Sequence, residues 1–155
     1  MATSSPVLVV PDASVLIGWV LPDEEDCPGS LRLMTDVGAK RVALVAPPLL
    51  VHELFSALSV AVRRRRITVE DALSAWDAFA DLGILIVEPG RYGRSILALS
   101  SLPGVTAYDA SYVALAESCG CACYTADKKL VAALRGHTGR VRLISEYKGS
   151  GYANG

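Results

Sequence analysis

Long apolar runs are missing from this 155-residue chain. The longest, Val42 to Val51, holds ten residues and two prolines, against about twenty for a helix that crosses a membrane, so no membrane association is expected. The N-terminus, MATSSPVLVVPDA, lacks the basic segment and apolar core of a secretory leader, and a cytoplasmic protein is expected. Charge of one sign is lacking too. Fifteen Lys and Arg against sixteen Asp and Glu leave a net charge of −1, which gives no general attraction to nucleic acid or anionic membranes. Any polyanion binding must therefore rest on a local basic patch or a bound metal. There are only two histidines, His52 and His137, far apart in sequence. Three of the four cysteines fall in one cluster, Cys119-Gly-Cys121-Ala-Cys123, whereas zinc sites usually show two paired C-x₂₋₄-C motifs or nearby histidine ligands. In a strand, Cys121 and Cys123 share one face as small core residues, and reduced thiols are expected in a cytosolic protein.

What is present is a globular composition, 52% hydrophobic and 20% charged, in a chain long enough for one domain that buries roughly 70% of its unfolded surface. Val7–Val10 reads as a buried strand ended by Pro11, and Ala13–Leu21 as a helix by its apolar spacing. Pro22 to Pro28 is acidic and loop-like. Helices are expected over Leu31–Val37, from Pro48 to the Arg63–Arg66 run, from Thr68 to about Leu82, around Arg91–Ser100, over Thr106–Ser118 and over Lys128–Leu134. Strands are expected at Val42–Ala46, Ile84–Val87, Ala122–Tyr124 and Val141–Ile144. Strands alternating with helices point to an α/β domain with a mainly parallel central sheet flanked by helices. It is expected to span residues 1–147, with a glycine-rich flexible tail at 148–155.

In such sheets, sites lie beyond the carboxyl ends of the strands, and four acids merit attention there. Asp12 directly follows the first strand. Asp127 follows the fourth, and Asp109 heads the helix leading into that strand. Glu53 lies in the apolar stretch APPLLVHELFSALSVAV, where His52, Glu53, Ser56 and Ser59 share a narrow helical stripe. Each has a structural explanation. Asp12 and Asp127 suit helix N-caps, and Thr106 with Asp109 has capping-box spacing. The Glu53 stripe is a thin solvent face. A cap position also favours the ionised carboxylate, so capping and metal binding are compatible. If the four converge, unit charges about 5 Å apart repel by roughly 3 kcal/mol at an effective dielectric of 20. Some must then take up protons, or a divalent cation must sit among them. Hard oxygen donors select Mg²⁺ or Mn²⁺.

Other phosphate-handling sites fit less well. An aspartyl-phosphate phosphatase wants a second acid two residues after the first, where Ser14 stands, and a receiver domain wants an acid pair where Pro11 stands. The P-loop pattern G-x-x-x-x-G-K-[ST] does not occur.

With these residues in view, the chain resembles the PIN-domain ribonucleases, specifically VapC-type toxins of bacterial toxin–antitoxin pairs, over about residues 7–146. VVPDASVLI is similar to the family's first motif, at Asp12 and Ser14, and PPLLVHELFSAL to the helix bearing its glutamate, at Glu53. TAYDASYVALAE resembles the third motif, at Asp109, and YTADKKL the fourth, at Asp127, with Thr125 as an auxiliary hydroxyl. The resemblance implies Mg²⁺- or Mn²⁺-dependent hydrolysis of RNA phosphodiester bonds, with Asp12, Asp109 and Asp127 as metal ligands and Glu53 completing the cluster. It also implies a homodimer and an inhibitory antitoxin that inserts an apolar helix into a groove. Trp19, Leu50 and Phe55 are either core residues or the lining of that groove. Ser14 is either a metal-water or phosphate contact or a local backbone partner, and Thr125 has the same two roles open. Lys128, with Lys129, and the Arg63–Arg66 run are either solvated or in contact with substrate phosphate. A PIN-like module without catalysis, acting through a protein or RNA partner, is the alternative.

Overall fold

The computed structural model describes residues 4–21 and 27–152. Most of the acidic Pro22–Pro28 segment and the last three residues of the expected tail lie outside the described residues. Five strands form one parallel sheet: β1 (Val7–Pro11), β2 (Val42–Ala46), β3 (Leu85–Ile86), β4 (Ala122–Thr125) and β5 (Val141–Leu143), in the order β3-β2-β1-β4-β5. Parallel neighbours require crossovers. These are supplied by helices α1 (Ala13–Ile17), α2 (Pro28–Gly38), α3 (Leu49–Arg63), α4 (Val69–Asp81), α5 (Gly93–Ser100), α6 (Ala107–Cys119) and α7 (Lys128–Ala133). Helices on both faces of such a sheet explain why its inner strands are almost wholly apolar. Val9, Val10, Ala46 and Cys123 are fully buried.

The chain lays β2 and then β3 on one side of β1, and β4 and β5 on the other. The order therefore reverses at β1, and the crevice beyond the carboxyl ends of β1 and β4 is where this architecture places its sites. Register fixes the two ends side by side. Val9 pairs with Ala122 and Pro11 with Tyr124, and the Asp12 amide donates to the Tyr124 carbonyl at 3.0 Å.

Two helix boundaries differ from the sequence expectation. The first helix stops at Ile17 rather than Leu21, because Trp19 and Val20 donate to the carbonyls three residues back and tighten the chain into turns. The second begins at Pro28, not Leu31, with the proline in the first turn, where its missing amide costs nothing. Gly29 in that turn lies against the Ile144–Glu146 turn so closely that a Cβ would fall 2.0 Å from the Ile144 carbonyl oxygen.

Past β5 the chain is tied to α2 through the buried Asp36. Its Oδ2 accepts from the Tyr147 hydroxyl at 2.6 Å and the Ser150 amide at 2.8 Å, and its Oδ1 from Arg41 Nε at 2.8 Å. Burial alone would raise the Asp36 pKa, but the bonds from Tyr147, Arg41 and Ser150 together hold it below the ordinary value. Among the described residues, no helix is long and apolar enough to cross a membrane.

Candidate active site

Asp12 is the residue at which β1 becomes α1. Its extended backbone (φ −77°, ψ 169°) ends the strand, and its Oδ1 caps the helix by accepting from the Ser14 amide at 2.9 Å and from the Ser14 hydroxyl. The other oxygen, Oδ2, accepts from Thr125 Oγ1 at 2.5 Å. Both hydroxyls are themselves held by the backbone just past β4. Ser14 Oγ accepts from the Ala126 amide at 3.1 Å and Thr125 Oγ1 from the Asp127 amide at 3.0 Å. Thr125 is fully buried. Burial pushes the Asp12 carboxyl above its ordinary pKa even though the bonds from Ser14 and Thr125 oppose the shift.

The remaining acids arrive on three other elements. Asp127 caps α7, its Oδ1 accepting from the Lys129 and Leu130 amides at 2.8 and 3.2 Å. Asp109 closes the capping box of α6, with its amide donating to Thr106 Oγ1 at 3.1 Å and its Oδ2 accepting from that hydroxyl at 2.7 Å. Glu53 lies on α3. One helical step beyond Asp109, Tyr112 buries its ring and donates its hydroxyl to Glu53 Oε2.

All four carboxylates line one cleft of about 540 Å³, together with Ser14, Ser56, Tyr112 and Arg66. The polar stripe on α3 is therefore divided. Glu53 and Ser56 face this cleft, Ser59 lines a separate groove against α4, and His52 is exposed. Glu53 senses its neighbours. Burial raises its pKa, the negative charges of Asp12 and Asp109 raise it further, and only the Tyr112 bond opposes them.

This donor set suits a hard divalent cation, since it offers carboxylate oxygens with hydroxyls beside them and mutual repulsion that such an ion relieves. In the conformation described, each carboxylate is turned toward a local donor, and no three acid, histidine or cysteine side chains among the described residues form a ready ligand cluster. At Asp12 a cation would share both oxygens with the bonds from Ser14 and Thr125, whereas Glu53, Asp109 and Asp127 each accept through one oxygen.

The sequence-derived candidates separate by position. Asp12, Ser14, Glu53, Asp109 and Asp127 line the cleft. Thr125 lies beneath Asp12 as a buried support, and Lys128 and Lys129 are exposed on α7 outside the lining. Trp19 is half-buried, with its indole N–H bonded to Ser30 Oγ at 2.8 Å, and Leu50 belongs to the core. Phe55 stacks on Trp76, with centroids 4.4 Å apart, in an apolar groove of about 400 Å³ between α3 and α4. Tyr112 and Arg66 were not singled out as individual site residues from sequence. The spacing of three residues from Asp109 to Tyr112 on one helix face is the only signal for the tyrosine.

Residues 10–143 match the family model described as the PIN domain. The chain is 35% identical over 126 residues to VapC ribonuclease Mb0985 of Mycobacterium bovis, covering 79% of this chain and 88% of that protein. The same figures hold for ribonuclease VapC9 of Mycobacterium tuberculosis. The structure of PAE2754 from Pyrobaculum aerophilum shares the fold, with a TM-score of 0.61 and 21% identity over 91% of this chain and 88% of that one. The chain belongs to the PIN-domain family and, within it, to the VapC type.

Proposed function

We propose that this protein is a Mg²⁺- or Mn²⁺-dependent endoribonuclease, the toxin of a toxin–antitoxin pair, acting in the cytoplasm as a homodimer. The observation that carries the reading is the meeting in one cleft of four carboxylates from four separate elements, Asp12, Glu53, Asp109 and Asp127. The kinship with proteins named as ribonucleases supports it.

Asp12, Asp109 and Asp127 hold the cation in this reading. When bound, it polarises a phosphoryl oxygen and makes a water more acidic. The chain's own groups do the rest. Thr125 and Ser14 fix both oxygens of Asp12, so the carboxylate at the strand end has one orientation. Tyr112 fixes one oxygen of Glu53. Burial and the neighbouring charges raise the proton affinity of Glu53, which suits a group that orients an attacking water and takes its proton. The antitoxin's apolar helix docks in the α3–α4 groove lined by Phe55, Leu58, Val62, Leu73 and Trp76. Val69 and Leu73 there are 55% and 60% exposed.

Controlled expression without an antitoxin, followed by sequencing of cellular RNA ends, tests the proposal. New internal RNA ends are expected with the native chain and none with Asp109→Ala. Growth arrest that persists in Asp109→Ala without RNA cleavage would instead identify a binding module.

A further inference from the structure

The net charge of −1 is unevenly spread along the chain. Residues 128–140 hold four cations, Lys128, Lys129, Arg135 and Arg140, and no acid, which leaves the rest of the chain at −5. Charge asymmetry of this kind points to a polyanionic partner. The fold sets the basic segment against the acidic cleft. Asp127 both lines the cleft and caps α7, so the helix starts at the cleft rim, and none of its own residues belongs to the lining. Lys128, Ala132 and Arg135 follow at the spacing of one helical face, with Arg135 just past the C-cap Leu134, and all three are exposed. Lys129 is exposed beside Lys128. Seven residues at helical rise separate Lys128 from Arg135 by about 10 Å, a length over which a nucleic-acid strand presents more than one phosphate.

Folding does not account for these side chains. Among the described residues, Lys128, Lys129 and Arg135 take part in no ion pair and no side-chain hydrogen bond, and a cation in the first turn of a helix opposes its dipole. Arg140 differs, since its guanidinium donates to the Gly120 carbonyl at 3.0 Å and ties β5 to the end of α6. A cleft lined by four carboxylates repels a polyanion, so a strand that reaches it must be drawn in by cations at its rim. We propose that the exposed face of α7 is the track for single-stranded RNA at the cleft mouth, with Lys128 and Lys129 meeting the phosphate nearest the cleft and Arg135 one farther along. Continuity with the acidic cleft favours a nucleic-acid strand over an acidic protein. Such contacts position the strand without reading its bases. The inference rests on the nuclease reading and adds to it the path of the substrate.

The test uses a fluorescein-labelled, mixed-sequence single-stranded RNA of about twenty nucleotides. Steady-state cleavage gives kcat and KM, and fluorescence anisotropy in EDTA gives affinity between about 50 and 200 mM salt. The double variant Lys128→Ala/Lys129→Ala is expected to raise KM roughly tenfold, as loss of charge-assisted bonds does, with kcat within about twofold. Its plot of log affinity against log salt is expected to be shallower by at least about 0.7, the value for one phosphate contact on a single strand. Arg135→Ala is expected to flatten the slope by about 0.7 on its own, and it carries the test if the double variant does not fold. Arg94→Ala, a single charge removed from α5, leaves kcat, KM and slope unchanged. Native KM and salt slope in both α7 variants overturn the proposal, as does a loss of kcat at constant KM. Native RNA parameters together with weakened binding of poly-L-glutamate overturn it in favour of an acidic protein partner. A native protein that neither binds nor cleaves RNA overturns the nuclease reading as well, whereas native cleavage with indifferent α7 variants overturns this inference alone.

Discussion

Thr125 Oγ1 donates to Asp12 Oδ2 at 2.5 Å across a separation of 113 residues, and accepts from the Asp127 amide at 3.0 Å. One buried hydroxyl thus links the acid after β1 to the backbone of the acid after β4. Removing it leaves the Asp127 amide short of an acceptor and Asp12 short of a donor. Thr125→Val is expected to cost about 1–3 kcal/mol of stability, read by denaturant unfolding, and to lose most RNA cleavage. Thr125→Ser, which keeps the hydroxyl, is expected to retain the larger part of both.

Tyr112 and Glu53 make a second such pair, joining α6 to α3. Tyr112→Phe keeps the ring in the core and removes only the donor. Cleavage is expected to fall roughly tenfold in kcat, with the melting temperature little changed. Native kcat in this variant would show that Glu53 needs no partner to hold its place.

The acidic cluster destabilises the metal-free protein at neutral pH. Glu53 and Asp12 both have pKa values raised above those of the unfolded chain. Their contribution to stability is therefore fully present below the ordinary carboxylate range and is lost as pH rises through the folded values. Glu53→Gln still accepts from Tyr112 but carries no charge. In chelator it is expected to melt above the native protein at pH 8, with the difference closing as pH falls toward 4. Mn²⁺ is expected to raise the melting temperature of the native protein more at pH 8 than at pH 5.

Asp36 has the opposite sign. Its pKa is lowered on folding, so it stabilises above the unfolded value of about 3.9, and that stability is lost as pH falls through the folded value. Asp36→Asn is expected to cost about 2 kcal/mol at pH 7, from the loss of charge-assisted bonds to Tyr147, Arg41 and Ser150. Its stability should also be flatter than the native protein's below pH 4. Urea titrations across that range measure both effects.

Much of this fold and site is legible in sequence because local chemistry writes it. The runs at Val7–Val10, Val42–Ala46 and Ala122–Tyr124 announce buried strands, and Thr68 with Asp71 and Thr106 with Asp109 announce helix starts. An aspartate placed just past a strand announces a cap, and Asp12 and Asp127 both cap the helices that follow them. Asp12 does serve as a cap, and its second oxygen meets Thr125. What is not legible depends on distant or conformational partners. Asp36 reads as an ordinary helix acid because Tyr147 and Ser150 lie 111 and 114 residues away. Tyr112 sits among the buried residues of α6, where an aromatic side chain reads as core. Arg66 is hidden in a run of four arginines until the left-handed turn at Arg65 aims it. The early end of α1 depends on turn bonds that apolar spacing cannot signal.

The central claim is that the carboxylates around Asp12 make this cleft a cation-dependent nuclease site. Cleavage of a quenched fluorescent RNA by purified protein, titrated with Mn²⁺ and compared with Asp12→Ala of equal melting temperature, tests it most directly. The expected rate saturates with Mn²⁺, vanishes in EDTA and is reduced at least about a hundredfold in the variant. Undiminished cleavage in EDTA, or by Asp12→Ala, would contradict it.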